Sequence, residues 1–171
     1  MNILAQVFGI LALAVMFFSY QKKSKKDFLI LQIFMNVFFA LQYFVLNAYS
    51  ALASSITSIV RSSLFYKFEK QNKKVHIGFL ILFELIILLL GILTYTGIYS
   101  IIPIIIAMSY TYGTWQKKLT TTYKIGTVAA VLWIFYNFIV GAYASVFGSV
   151  IELLASIFGL IRLKNKSMNN V

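Results

Sequence analysis

Hydrophobic residues in this chain fall into seven continuous runs, each closed by a short polar or charged stretch. A helix needs about 20 apolar residues to cross a hydrocarbon core of about 30 Å. On that rule the runs predict spanning helices over Ile3–Tyr20, Phe28–Leu46, Ala51–Phe68, Val75–Tyr95, Ile101–Trp115, Ile125–Val140 and Ala144–Leu163. The fifth and sixth are short and are expected to borrow residues from their turns. Strands are disfavoured, because a barrel strand alternates apolar and polar positions over about 10 residues and these runs do not alternate.

The stretches between the runs differ in charge in a regular way. Lys22, Lys23, Lys25 and Lys26 form one cluster, and Lys67, Lys70, Lys73 and Lys74 another. Lys117, Lys118 and Lys124 form a third, and Arg162, Lys164 and Lys166 a fourth. The turns at Asn47–Ser50, Thr96–Ser100 and Gly141–Ser145 carry no charge. Cationic turns thus alternate with uncharged ones, which is the positive-inside pattern. With seven spans it predicts the N-terminus outside and the C-terminus in the cytoplasm. The lysines read first as topology determinants, and attraction to anionic headgroups is secondary.

The pattern is also written twice. Sliding Phe44–Ser55 by 94 positions lays Phe44 on Phe138, Ala48 and Tyr49 on Ala142 and Tyr143, and Ser55 on Ser149. The same offset lays Gly9 on Pro103, Met16 on Tyr110 and Lys23 on Lys117. The expected organisation is a first three-helix repeat over residues 1–74, a linker helix over 75–98, a second repeat over 99–166 and a disordered tail over 167–171. The fold class is therefore all-α: seven transmembrane helices as two parallel three-helix bundles joined by a linker helix.

Composition agrees with lipid as the solvent. The 171 residues are 61% hydrophobic and 11% charged, with a mean hydropathy of +0.88, against about 45–50% apolar and about 25% charged in soluble domains. A net charge of +11 would suggest nucleic acid in a soluble protein. Here the cations sit at span ends, so nucleic acid is not an expected partner. There is no cysteine, which excludes disulfides and thiolate chemistry. The first run is not expected to be a cleavable signal peptide, since it lacks a basic leading region and is followed by lysines.

Polar residues inside the runs are the candidates for function. Arg61 lies ten residues into the third run and Glu152 eight residues into the seventh, both deep in the membrane at about 1.5 Å per residue. A central Arg costs roughly 2.5–3.5 kcal/mol on insertion scales, so it must face protein or water. Under the offset Glu152 falls on Ser58, one turn from Arg61, and the two charges are expected to meet. A buried pair that fixes helix register is the plain reading, and a contact to solute the functional one. Glu84, in the fourth run, is an alternative partner for Arg61, and the choice stays open.

Gln32, Asn36 and Tyr43 share one face of the second run. Asn137 and Trp133 lie in the matching part of the sixth, and Gln6, Tyr110 and Tyr112 add further polar groups. Each alone reads as an interhelical hydrogen bond, and together they outline a polar interior. The third and seventh runs are dense in serine, alanine and glycine, so they are expected to be the central helix of each bundle. Pro103, with Gly9 at the matching place, is expected to bend its helix and serve as a hinge. Trp115, Tyr95 and Tyr99 read as interfacial anchors. His76 is the single histidine and no phosphate-binding glycine motif is present, so neither a metal triad nor a histidine-based triad is expected.

Several of these residues carry a resemblance. Leu4-Ala-Gln-x-x-Gly9, Ala51-x-Ala-Ser54 leading to Arg61, Ile102-Pro103, Trp133-x-x-x-Asn-Phe-x-x-Gly141 and Arg162 resemble the YgjV-type bacterial inner-membrane proteins. That family looks distantly similar to SWEET, PQ-loop and nicotinamide-riboside-type carriers, whose plan is also three plus one plus three helices. In SWEET-like carriers asparagines of the third and seventh helices contact the solute. Ser58 and Glu152 take those places here, which departs from a sugar-binding pattern.

The resulting expectation is an inner-membrane carrier of a small polar or anionic solute, not an enzyme and without a cofactor. Arg61 is expected to bind an anionic group, and Glu152 to pair with it or carry a proton. Trp133 is expected to stack on the solute, while Asn36 and Asn137 orient it with Ser58, Gln32, Gln6 and Tyr110 nearby. The alternative is a non-transporting membrane partner or assembly subunit. Lipid bilayer and a small solute are the expected partners, and a homo-oligomer is left open.

Overall fold

A computed structural model describes residues 2–22, 24–116 and 119–168. Those residues form seven helices and no strand. The helices are α1 (Ile3–Tyr20), α2 (Lys25–Val45), α3 (Tyr49–Lys70), α4 (Ile77–Leu93), α5 (Ile101–Trp115), α6 (Leu119–Ile139) and α7 (Tyr143–Met168), with a 3-10 turn at Ile98–Ser100. Lys23, Lys117 and Lys118, which enter the charge clusters and the offset, lie outside the described residues, as do positions 169–171.

α1 and α5 have the limits of their apolar runs although lysine-bearing stretches follow both, and α5 does not borrow the turn residues expected of it. α4 is two residues shorter than its run at each end, while the other helices shift or extend. α2 and α3 gain lysines at their charged ends, α6 starts six residues early, and α7 continues to Met168, so residues 167 and 168 of the expected tail are helical. Lysine and glutamate are good helix formers, and a hydropathy window ends before the backbone hydrogen bonding does. The starts of α1 and α4 carry side-chain caps. The Asn2 side chain accepts from the amide of Ala5 at 3.3 Å, satisfying a donor of the first turn of α1.

Among the described residues three helical stretches are long and apolar enough to cross a membrane: Lys25–Val45, Thr120–Ile139 and Tyr143–Ile161. Ile3–Ser19 and Ile77–Leu93 are shorter apolar helices. α3 falls outside both groups because serine, threonine and Arg61 interrupt its apolar residues, and α5 is only 15 residues long with hydroxyl groups throughout its second half.

α1 packs on α2 and α2 on α3. α5 packs on α6 and α6 on α7. Contacts of α3 with α5 and of α1 with α7 close these six helices into a ring, and α4 lies against α5 and α3. The middle helices are therefore α2 and α6, not α3 and α7 as their small residues suggested. Small side chains serve instead at the two seams of the ring. Gly148 of α7 faces Leu13 of α1 so closely that a Cβ there would lie 1.9 Å from Leu13 Cδ2. Ser54 of α3 donates to the carbonyl of Pro103 in α5 at 3.2 Å.

The α2–α3 and α6–α7 turns are built alike. Asn47 (φ 54°) and Gly141 (φ 74°) take the left-handed conformation that commonly ends a helix. The amide of Ala48 donates to the carbonyl of Tyr43, and that of Ala142 to the carbonyl of Asn137, each at 2.9 Å. Leu46 to Gln42 and Val140 to Tyr136 repeat the correspondence, each at 3.1 Å. Every atom in one set lies 94 positions from its counterpart in the other.

Gly9 and Pro103 interrupt neither helix. Pro103 stands in the first turn of α5, where an amide lacks a partner within the α-helix in any case. There the proline ring costs the helix no internal hydrogen bond. Gly9 has a packing reason: a Cβ would meet Gln42 Nε2 at 2.6 Å and the Ala144 Cβ at 3.0 Å.

Candidate functional site

Within the ring lies a cavity of about 60 Å³, several times the roughly 10–15 Å³ that one water needs. Its lining joins both halves of the chain. α2 contributes one face: Gln32, Met35, Asn36, Phe39 and Tyr43, at helical spacing. α3 contributes Ser54, Ser55, Ser58 and Arg61, and α7 Gly148, Ser149 and Glu152. Met16 of α1, Ile106, Ala107 and Tyr110 of α5, and Trp133 and Asn137 of α6 complete it.

Arg61 is 2% exposed and is held by α5. Its Nη1 donates to Thr111 Oγ1 at 2.8 Å and to the Ala107 carbonyl at 3.3 Å. The Thr111 hydroxyl in turn donates to that carbonyl at 2.7 Å, which orients its lone pairs toward the guanidinium. Arg61 Nε is buried without a hydrogen-bond partner. Glu152 is 9% exposed and accepts a hydrogen bond from the hydroxyl of Tyr110. The two charges line the same cavity but form no ion pair with each other. Among the described residues the ion pair joins Lys25 to Glu69, at 4.0 Å. The direct meeting expected from the offset is replaced by two separate anchors, because Thr111 and Tyr110 project from α5 in different directions and each claims one charge. Glu84, the alternative partner, lies outside the cavity lining but interacts electrostatically with Arg61, and its Oε2 is buried without a hydrogen-bond partner.

The amides and rings form the rest of the wall. Asn36 Nδ2 donates to the Gln32 carbonyl at 2.7 Å, so the pair lies along one face. The Tyr43 hydroxyl donates to Asn137 Oδ1 at 2.7 Å, and Asn137 Nδ2 donates to Ser149 Oγ at 3.3 Å. Phe39, Tyr43 and Trp133 stack in series, with centroids 6.1 and 6.0 Å apart and interplanar angles of 24° and 15°. Trp133 therefore spends one face on Tyr43 and borders the cavity with what remains.

Toward the uncharged turns the cavity is closed by hydrogen bonds between the two halves. The Ser145 hydroxyl donates to Gln42 Oε1, and Ser50 and Tyr136 share a hydrogen bond of 3.2 Å. Gln6 belongs here and not to the cavity, contrary to expectation. Its Nε2 donates to the Gly141 carbonyl at 3.1 Å, and its Oε1 accepts from the Ala144 amide at 2.8 Å. A primary amide offers both a donor and an acceptor, and the α6–α7 turn presents one unused group of each kind. Toward the lysine-bearing turns the cross-tie is Lys25, whose Nζ donates to the Gln116 carbonyl at 3.0 Å.

Arg61, Glu152, Asn36, Trp133, Asn137, Ser58, Gln32 and Tyr110 all reach the cavity. Pro103, Gly9 and Tyr112 do not. Thr111 was missed, because a threonine among serines and tyrosines carries no signal of its own. Phe39 was missed although it lies on the face already marked by Gln32, Asn36 and Tyr43. Trp115 is tied to protein, with Nε1 donating to the Val75 carbonyl at 3.0 Å. No group of metal-ligating residues occurs among the described residues.

The chain matches Imp-YgjV, a family described as bacterial inner membrane protein, over residues 3–167. It belongs to that family. No curated protein and no solved structure matches it. For a YgjV-family protein the apolar side chains exposed around the helices, such as Leu85, Phe135, Phe147 and Phe158, are the surface that lipid solvates.

Proposed function

We propose that this YgjV-family protein carries a small polar solute across the bacterial inner membrane by alternating access between two three-helix repeats. In this reading all seven helices span the bilayer, α4 links the repeats, and the lysine-bearing turns face the cytoplasm. The observation that carries it is the cavity, with a guanidinium from α3 and a carboxylate from α7 on its wall and not paired together. A core built only for stability has no use for a guanidinium whose Nε is left without a hydrogen-bond partner beside a cavity, since leaving a buried charged group unsatisfied is costly.

The pairs across the cavity support the repeat. Met16 and Tyr110, Phe39 and Trp133, Tyr43 and Asn137, Ser54 and Gly148, Ser55 and Ser149, and Ser58 and Glu152 are each 94 positions apart and each line it. A solute site on a pseudo-two-fold axis is lined by matched residues in this way. A non-transporting assembly subunit has no need of the cavity.

The test is a thermal-shift screen of the purified protein against a library of small metabolites. A true ligand raises apparent stability by mass action, and the same ligand should fail to stabilise Arg61→Ala. A library without a single stabilising solute, or stabilisation that persists in Arg61→Ala, counts against the carrier.

A further inference from the structure

We propose that the solute is a small zwitterion of the amino-acid type, its carboxylate on Arg61 and its ammonium group toward Glu152; this rests on the carrier reading above. Among the described residues the charged side chains lining the cavity are Arg61 and Glu152, one of each sign. Glu84, outside the lining, interacts electrostatically with Arg61 from behind the wall. A zwitterion brings one complementary charge to each of the two lining groups, whereas a monoanion or a monocation meets one of them with a charge of like sign, which is disfavoured in a buried site.

The two charges are also presented as a spaced pair. Consecutive residues of α5 hold them, Thr111 for Arg61 and Tyr110 for Glu152, so one rigid helix sets the distance between them. Arg61 uses Nη1 for Thr111 and the Ala107 carbonyl, while Nε has no partner. The guanidinium edge that includes Nε is one that grips a planar carboxylate through two parallel hydrogen bonds. Glu152 is an acceptor for an ammonium group, and the nearby ring of Trp133 suits a short apolar stem. The cavity volume of about 60 Å³ restricts the solute to a few heavy atoms.

The experiment uses the full chain in lipid nanodiscs with calorimetric titration. The probes are glycine, alanine, β-alanine and γ-aminobutyrate, each with its hydroxy-acid analogue and its amide. At least one amino acid should bind, with a Kd about tenfold or more below those of both analogues, because a site built for a polar group rejects the molecule lacking it. Glu152→Gln should abolish the discrimination against the hydroxy acid, and Arg61→Gln the discrimination against the amide. A hydroxy acid that binds wild type as tightly as its amino acid overturns the zwitterion and makes the site an anion site. An amide that binds as tightly removes the carboxylate contact. If the probes fail while the metabolite screen yields a ligand lacking either charge, this inference falls and the carrier stands. If neither experiment yields a ligand, both fall.

Discussion

The hydroxyl of Tyr43 donates to Asn137 Oδ1 at 2.7 Å, joining two residues 94 positions apart in the chain. Both sit one turn before their left-handed turn residue, Asn47 or Gly141. Their contact closes the cavity at the end nearer the uncharged turns, with Ser149 as the next donor and acceptor in line. On the proposed reading of two repeats, a contact between equivalent positions falls on the axis relating them, and this bond would lie where the halves hinge on each other.

Tyr43→Phe should destabilise the protein by about 1–3 kcal/mol, the cost of a buried acceptor that has lost its donor. Asn137→Leu combined with Tyr43→Phe should recover part of that loss, since removing both polar partners is less costly than removing one. Denaturant unfolding in detergent measures both. Equal or greater loss in the double variant would show that Asn137 is held by other groups.

Thr111→Val keeps shape but removes the acceptor for Arg61 Nη1. A hydrogen bond to a charged group is worth about 1.5–3 kcal/mol, so stability should fall by that order, and ligand affinity should fall with it as the guanidinium loses its orientation. Thr111→Ser should retain both. Stability and titration measured on the same samples distinguish a positioning role from simple packing, because packing alone would leave the isosteric Val near wild type and make the smaller Ser the poorer variant.

Gly148→Ala should weaken the α1–α7 seam, because the new methyl group would enter the space of Leu13. Overpacking of this kind costs typically about 1–3 kcal/mol. Adding Leu13→Ala should relieve it. If the pair of substitutions is no better than Gly148→Ala alone, the close approach of the two helices is not the reason for glycine.

The absence of native cysteine makes single-cysteine labelling free of background. Ser149→Cys should react slowly with a membrane-impermeant maleimide added to whole cells. Opening the uncharged end with Gln42→Ala and Tyr136→Phe should accelerate it, since these remove the hydrogen bonds to Ser145 and Ser50. Rapid labelling without those substitutions would mean the end is already open.

The same approach tests orientation. Gly97→Cys, in an uncharged turn, should label from outside intact cells, and Asn72→Cys, beside the second lysine cluster, only after permeabilisation. The reverse result would invert the topology and with it the direction in which the cavity opens.

Helix number, the bounds of α1 and α5, the polar face of α2 and the burial of Arg61 and Glu152 were all legible in the amino-acid order. Each depends on properties that run along one helix: apolar length, period and the cost of an ion in lipid. What folding alone decided is azimuthal. It put α2 and α6 in the middle of their helix triplets, gave Arg61 to Thr111 and Glu152 to Tyr110, and turned Gln6 away to the α6–α7 turn. Sequence spacing gives the angle between residues on one helix, but not the rotation of that helix against its neighbours. That rotation is a compromise among all packed side chains, and a shift of a single residue's angle, about 100°, is enough to give a charge a different partner.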